Sequence, residues 1–173
     1  MLYIGEELGS MVGAEGAPKI DIAVDPLECT NNCADDQPNS IAVLAAAPRG
    51  TLLHAPDCYM NKLAAGPALA GHVSLEGGAV YNIEQAMHVL DCEARDVRIV
   101  ALDRERHHQL FKEISETGAQ LELLGDGDVA GAIWAAKDDG PFDMLMGVGA
   151  APEGVISATA IRGIGGVFEL SLI

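Results

Sequence analysis

The first apolar pattern along the chain is the alternation Ile20-Asp21-Ile22-Ala23-Val24-Asp25, which halts at Pro26 and reads as a strand delivering Asp25 to its end. An apolar run at 40–47 predicts a second strand, and Pro48-Arg49-Gly50 supplies turn chemistry leading into 51–54 as its hairpin partner. Residues 59–65 predict a further strand. The Gly-rich stretch at 66–78 reads as a joint between two subdomains, and 82–90 as a short helix. From Val97 onward the pattern alternates. A buried strand at 97–102 is followed by a helix capped by Asp103 and running to Gly118, with Leu110, Phe111 and Ile114 on one face. Strands at 121–124 and 142–146 then flank a helix at 128–136. A last helix at 152–162 has Pro152 in its first turn and Gly163 just past its end. Three strand–helix units in succession predict a mainly parallel sheet with its loops gathered at the C-terminal edge, where ligands bind. The fold expected is α/β and layered: a β-rich half at 1–78 and a βαβαβα half at 79–173.

Composition sharpens this reading. The 173 residues are 49% hydrophobic but only 4% aromatic, so the core is built from small aliphatic side chains. A formal charge of −16 with no Lys/Arg cluster excludes nucleic acid as a partner. No apolar run reaches the length of a membrane span. Cys29, Cys33, Cys58 and Cys92 show no CxxC spacing, and no charged-then-apolar leader opens the chain, which points to a reducing cytoplasm. Cys29 and Cys33 with His54 form a conceivable zinc set, against which free thiols are the better reading.

The candidate chemistry gathers in loops. Asp25-Pro26-Leu27-Glu28-Cys29-Thr30 holds two carboxylates three residues apart on a Pro-stiffened turn, a source of oxygen ligands for a hard cation, with a hydroxyl to orient water. Its plain alternative is a solvated acidic turn. Gly147 to Gly154, between a strand and a helix, offers backbone N–H groups and a helix N-terminus to a phosphate, with Glu153 as a further acid. A dinucleotide fingerprint is the rival there, but Pro152 stands where its third glycine belongs. Arg104 and Arg106 could bind phosphate, and Asp126 and Asp128 could accept from sugar hydroxyls; each could equally be a surface charge or a helix cap.

Asp25-Pro26-Leu27-Glu28-x-Thr30, Ala55-Pro56-Asp57-x-Tyr59-Met60, Asp103-Arg104-Glu105-Arg106-His107, Gly125-Asp126-Gly127-Asp128-Val129-Ala130 and the segment from Gly149 through Ala150-Ala151-Pro152-Glu153-Gly154 occur in this order. In them the chain resembles class II fructose-1,6-bisphosphatases, particularly those that also act on sedoheptulose-1,7-bisphosphate, from Met1 to about Phe168. The resemblance implies a sugar-phosphatase-like sandwich that hydrolyses the 1-phosphate of fructose-1,6-bisphosphate with Mg²⁺ or Mn²⁺, in gluconeogenesis or the Calvin cycle, as a homo-oligomer. It implies Asp25, Glu28 and Glu153 as metal ligands and Asp25, Glu28 and Thr30 as catalytic residues. It assigns Glu28, Cys29, Thr30, Tyr59, Arg104, Glu105, Arg106, Asp126, Gly127 and Asp128 to the substrate. Relative to the family, the chain is expected to lack an upstream acidic metal-binding segment and later strands and helices, leaving sheet edges open. It also carries Cys29 where the family has Gly; if that position needs positive φ or close approach to phosphate, a side chain there costs about 1 kcal/mol or more and crowds the substrate. Two readings follow: a metal-dependent phosphatase, or a non-catalytic piece that keeps the sugar-phosphate face or works with a complementary chain.

Overall fold

The computed structural model describes residues 4–173 and is α/β in four layers. Its centre is a five-stranded sheet built from β3 (Tyr59–Ala65), β4 (Arg98–Leu102), β5 (Gln120–Leu124), β6 (Met144–Ala150) and β7 (Val167–Leu172), in the spatial order β5-β4-β6-β3-β7. β4 runs parallel to both β5 and β6, as the strand–helix alternation predicts, whereas β3 lies antiparallel between β6 and β7. A strand from the first half of the sequence therefore occupies the sheet interior. A separate ribbon pairs β1 (Ile20–Glu28) with β2 (Ile41–Pro48).

Three apolar clusters bind the layers. On one face of the sheet, Leu63, Ile99, Met144 and Met146 meet Ile83 and Ala86 of α2 (Gly78–Leu90) and Ile114 of α3 (His108–Thr117). On the other, Ala64, Val100 and Leu145 meet Ala132, Ala135 and Ala136 of α4 (Asp128–Ala136) and Ile161 of α5 (Ala151–Ile164). The Ala-rich face of α4 lets helix and sheet backbones approach closely, which is how a core nearly without aromatics still packs. The third cluster, Ala45, Val129 and Ile156 with Ala23 and Val43, seats the ribbon on α4 and α5.

Several element boundaries differ from the sequence-based expectation. β1 does not stop at Pro26 but continues to Glu28 through a bulge in which Pro26 and Leu27 oppose Ala42 alone, a place where proline's missing N–H costs no ladder bond. Residues 51–54 form no strand; the partner of β2 is β1. The Asp103 N–H donates to the Leu124 carbonyl, so the chain stays tied to the sheet, passes through a 3₁₀ turn at Glu105–His107, and enters α3 only at His108. β6 runs from Met144 to Ala150, so Gly147 and Gly149 are strand residues and not the turn expected there. α5 passes through Gly163 and ends at Gly165, whose φ of 86° allows its N–H to reach back to Ile161 and Arg162. Residues 167–172, assigned no element from the sequence, complete the sheet as β7.

Candidate metal and phosphate site

The end of β1 and the first turns of α4 and α5 meet where the ribbon crosses the two helices. Among the described residues, Asp25, Glu28 and Glu153 each place one carboxylate oxygen within 4.8 Å of the others. The Asp25 Oδ1 accepts from the Leu27 N–H at 3.0 Å, which fixes the bulge and aims the carboxylate inward. Glu28, 7% exposed, accepts from the Val129 N–H at 3.4 Å, so the N-terminal turn of α4 holds it. Glu153 stands in the first turn of α5 behind Pro152.

Three converging carboxylates oppose one another. Glu28 answers by keeping its proton: burial first, then its hydrogen bond with Asp25 and the charge of Asp128, push its pKa from 4.5 up to about 8 against the opposing pull of the Val129 N–H. Glu153 carries a second mark of an incomplete site, since its Oε2 is buried with no hydrogen-bond partner. An orphaned carboxylate oxygen costs about 1–3 kcal/mol or more. A hard divalent cation would satisfy that oxygen and displace the Glu28 proton, and an all-oxygen donor set suits such a cation. The residues present therefore fit one.

Cys29 follows Glu28 in a left-handed conformation, φ 66°, the first of the two conditions under which a side chain in place of the family's Gly is costly. Its side chain is buried with Sγ against Gly127, where any Cβ would collide with it. Burial foremost, then the charges of Glu28, Asp126, Asp128 and Asp25, push the thiol up to about 12, so it is held protonated. Thr30 is the exposed first residue of α1 (Thr30–Ala34).

A second group spans the end of β6 and the loop from β5 to α4. Arg106 donates from Nε and Nη2 to the Val148 carbonyl and lies 4.9 Å from the ring centroid of the exposed Tyr59, which pairs with Ala150 in the β3–β6 register. Arg104 donates to the carbonyls of Asp103 and Gly125 and approaches Asp126 at 3.7 Å. Glu105 is exposed at the start of the 3₁₀ turn. Both guanidinium groups are thus oriented by backbone carbonyls. Asp126 accepts from the Gly127 N–H, and Gly127, not Asp128, caps α4.

Two residues in this region escaped the sequence reading. His107, buried between Leu102 and Val148, must donate from Nδ1 to the Leu102 carbonyl at 2.7 Å and accept at Nε2 from the Val148 N–H at 2.8 Å. Those partners admit only the neutral Nδ1–H tautomer, and burial, with Arg106 and Arg104 nearby, lowers its pKa. His107 so locks the arginine loop to β4 and β6. The other is Lys62, buried in β3 with Nζ 2.6 Å from Asp128 Oδ2. Its signal in the sequence was the one cation of the strand, standing with Asn61 between Met60 and the apolar Leu63-Ala64-Ala65.

A ribbon carrying a carboxylate cluster to two helix N-termini over a mixed sheet defines a layered, sugar-phosphatase-like α/β protein with a carboxylate site suited to a hard cation. The profile of the family described as bacterial fructose-1,6-bisphosphatase, glpX-encoded, matches residues 1–173. The chain belongs to that family. It is 49% identical over 173 residues to the D-fructose 1,6-bisphosphatase class 2/sedoheptulose 1,7-bisphosphatase of Prochlorococcus marinus (strain MIT 9515), matching 100% of this chain and 51% of that protein. Proteins of the same name from Prochlorococcus marinus (strain NATL1A) and Thermosynechococcus vestitus (strain NIES-2133 / IAM M-273 / BP-1) are 50% and 45% identical, with 100% of this chain and 51% and 52% of their own lengths covered. The chain spans about half the length of these relatives.

Proposed function

We propose that this chain carries the reacting centre of a divalent-metal-dependent fructose-1,6-bisphosphatase that also accepts sedoheptulose-1,7-bisphosphate. The observation that carries the reading is the convergence of Asp25, Glu28 and Glu153 with the buried, unpartnered Oε2 of Glu153. In this reading those three carboxylates hold Mn²⁺ or Mg²⁺, which when bound supplies charge neutralisation at the phosphoryl oxygens and lowers the pKa of water. The Thr30 hydroxyl orients the attacking water. The oxygen of that water bonds to phosphorus as the bond from phosphorus to the sugar O1 breaks, and a proton from the water passes to the leaving oxygen, giving fructose-6-phosphate and orthophosphate. Glu28, Cys29 and Thr30 border the reacting phosphate. Arg104, Glu105, Arg106 and Tyr59 receive the rest of the bisphosphate, and Asp126 and Gly127 face sugar hydroxyls, whereas Asp128 of the same loop is buried against Lys62. The six-carbon and the longer seven-carbon bisphosphates then differ at the arginine end, where the phosphate on C6 or C7 lies. The setting proposed is cytoplasmic sugar metabolism, gluconeogenesis or the Calvin cycle, with the chain in a homo-oligomer.

The test is phosphate release from fructose-1,6-bisphosphate by the purified chain with Mn²⁺ or Mg²⁺, beside Glu28→Gln and Glu153→Gln. Release that both substitutions reduce by ~10²-fold or more supports the reading. Release unaffected by either contradicts it. A second reading, that the chain binds the sugar bisphosphate without turnover unless complementary polypeptide joins it, is favoured by the exposed Ile20, Ile22, Val24 and Leu44 on the ribbon. Its signature is bisphosphate binding by a folded chain with no phosphate released.

A further inference from the structure

Lys62 stands in β3, an interior strand of the sheet, opposite Gly147 on β6 and Leu170 on β7, with its side chain 2% exposed. It makes one short bond, at 2.6 Å, to an Asp128 side chain that is 9% exposed. The surrounding chain clears space for this pair. A Cβ on Gly149 would fall on Asp128 Oδ2 and lie 2.9 Å from Lys62 Nζ, and one on Gly154 would contact the Lys62 stem at 3.6 Å. Fold stability is a weak reason for such a pair, because a buried ion pair is commonly matched or bettered by apolar side chains of similar volume. Asp128 is the first residue of α4, and the next residue, Val129, donates to Glu28. Asp128 is thus a fourth carboxylate bordering the cluster of Asp25, Glu28 and Glu153, and its charge reaches Glu28.

We infer that Lys62 is a positioning residue that holds Asp128 away from the cation cluster, limiting it to three carboxylates so that an anionic phosphate can approach. The inference rests on the phosphatase reading above. With Lys62 in place, the net charge of the four acids and their counter-ion is one unit less negative than without it. A released Asp128 would turn toward the cation, bind it more tightly and repel phosphate.

The experiment uses the purified chain, with free Mn²⁺ counted by electron paramagnetic resonance and orthophosphate binding to the Mn²⁺-loaded chain followed by calorimetry. In Lys62→Met, Mn²⁺ is expected to bind about tenfold tighter and orthophosphate about tenfold weaker, while Lys62→Arg stays close to the parent chain. Asp128→Asn, with Lys62 intact, moves both affinities in the opposite directions, and it decides the matter alone if Lys62→Met does not fold. Weaker Mn²⁺ binding in a folded Lys62→Met, as loss of a purely structural contact would give, overturns the inference. So does an Asp128→Asn chain whose affinities are unchanged. Mn²⁺ binding by the parent that Glu153→Gln leaves untouched would instead sink the phosphatase reading, and the inference with it.

Discussion

Glu28 titrates against the usual sense of an acidic residue. Its folded-state pKa of about 8 lies above the ordinary 4.5, so the folded chain keeps a proton that the unfolded chain gives up. That contribution to stability is fully present below about pH 4.5 and is lost as pH rises through 8. Thermal unfolding in the presence of a chelator should therefore show a midpoint that declines between pH 5.5 and 8.5, more steeply than in Glu28→Gln. Cation binding expels the same proton, so calorimetry at pH 7 in buffers of different ionisation enthalpy should detect about one proton released per Mn²⁺ bound. Next to it, Cys29 is buried and pushed to about 12, whereas Cys33 is exposed. Iodoacetamide at pH 8 should label Cys33 and leave Cys29 unmodified by mass spectrometry. Labelling of Cys29 at a comparable rate would mean that its loop opens. The acids at 25, 28 and 153 were all legible in the sequence as loop carboxylates, whereas positive φ at 29 was raised by the resemblance alone, as one of two reasons for the family's Gly. The buried Lys62–Asp128 contact was not legible, because its partners stand 66 residues apart and only the folded sheet joins them.

At the scale of elements, hydrophobic periodicity located most strands and helices but not their junctions, and it placed a strand at 51–54 that does not form while leaving β7 unassigned. The β-branched and aliphatic runs at 40–47, 59–65 and 97–102 became β2, β3 and β4 with shifts of a residue at most. The misses fall where a tertiary bond overrides a local signal: Asp103 is a natural helix cap, yet its N–H is taken by Leu124, and His107 pins the following turn to β6. His107 makes that junction sensitive to acid. Its folded pKa is lowered, so the stability it contributes is present above its ordinary value of 6.5 and is lost as pH falls through the depressed value. Nitrogen-15 spectra of the imidazoles should show His107 as the neutral Nδ1–H tautomer at pH 6, and its protonation at lower pH should coincide with loss of amide protection at Val148. The far end of α5 offers a separate check on element boundaries. Gly165 holds φ 86° at the helix terminus, so Gly165→Ala should cost about 1 kcal/mol in urea unfolding, while Gly163→Ala, inside the helix, should be neutral or stabilising.

Across the whole molecule, the layers are unequal in how they are covered. The sheet is sheathed on both faces by helix pairs, but among the described residues the ribbon has a helix layer on one side alone. Its inward positions, Asp21, Ala23 and Asp25 with Val43 and Ala45, alternate with outward Ile20, Ile22 and Val24, which pair across the strands with Pro48, Ala46 and Leu44. The outward row is apolar along its length, and Ile20, Ile22 and Leu44 are 54%, 53% and 62% exposed. A two-stranded ribbon is marginal without support on its apolar surface, and an uncovered apolar strand face promotes association. The overall charge of −16 opposes self-association through long-range repulsion, and salt screens it over about 10 Å at 0.1 M. The two forces give a specific expectation for the chain by itself. Light scattering after size exclusion should report more self-association as ionic strength rises, the reverse of what ion-pair contacts would give. Ile22→Lys with Leu44→Glu, placed outward and away from the carboxylate cluster, should restore monomers at 0.3 M salt without changing Mn²⁺ affinity. If the double variant associates as the parent does, the ribbon face is not the adhesive surface. If it loses Mn²⁺ binding while staying folded, the ribbon's outer face and the cation site are coupled through β1, because Ile22 and Asp25 belong to one strand whose seating on α5 sets where the carboxylates converge.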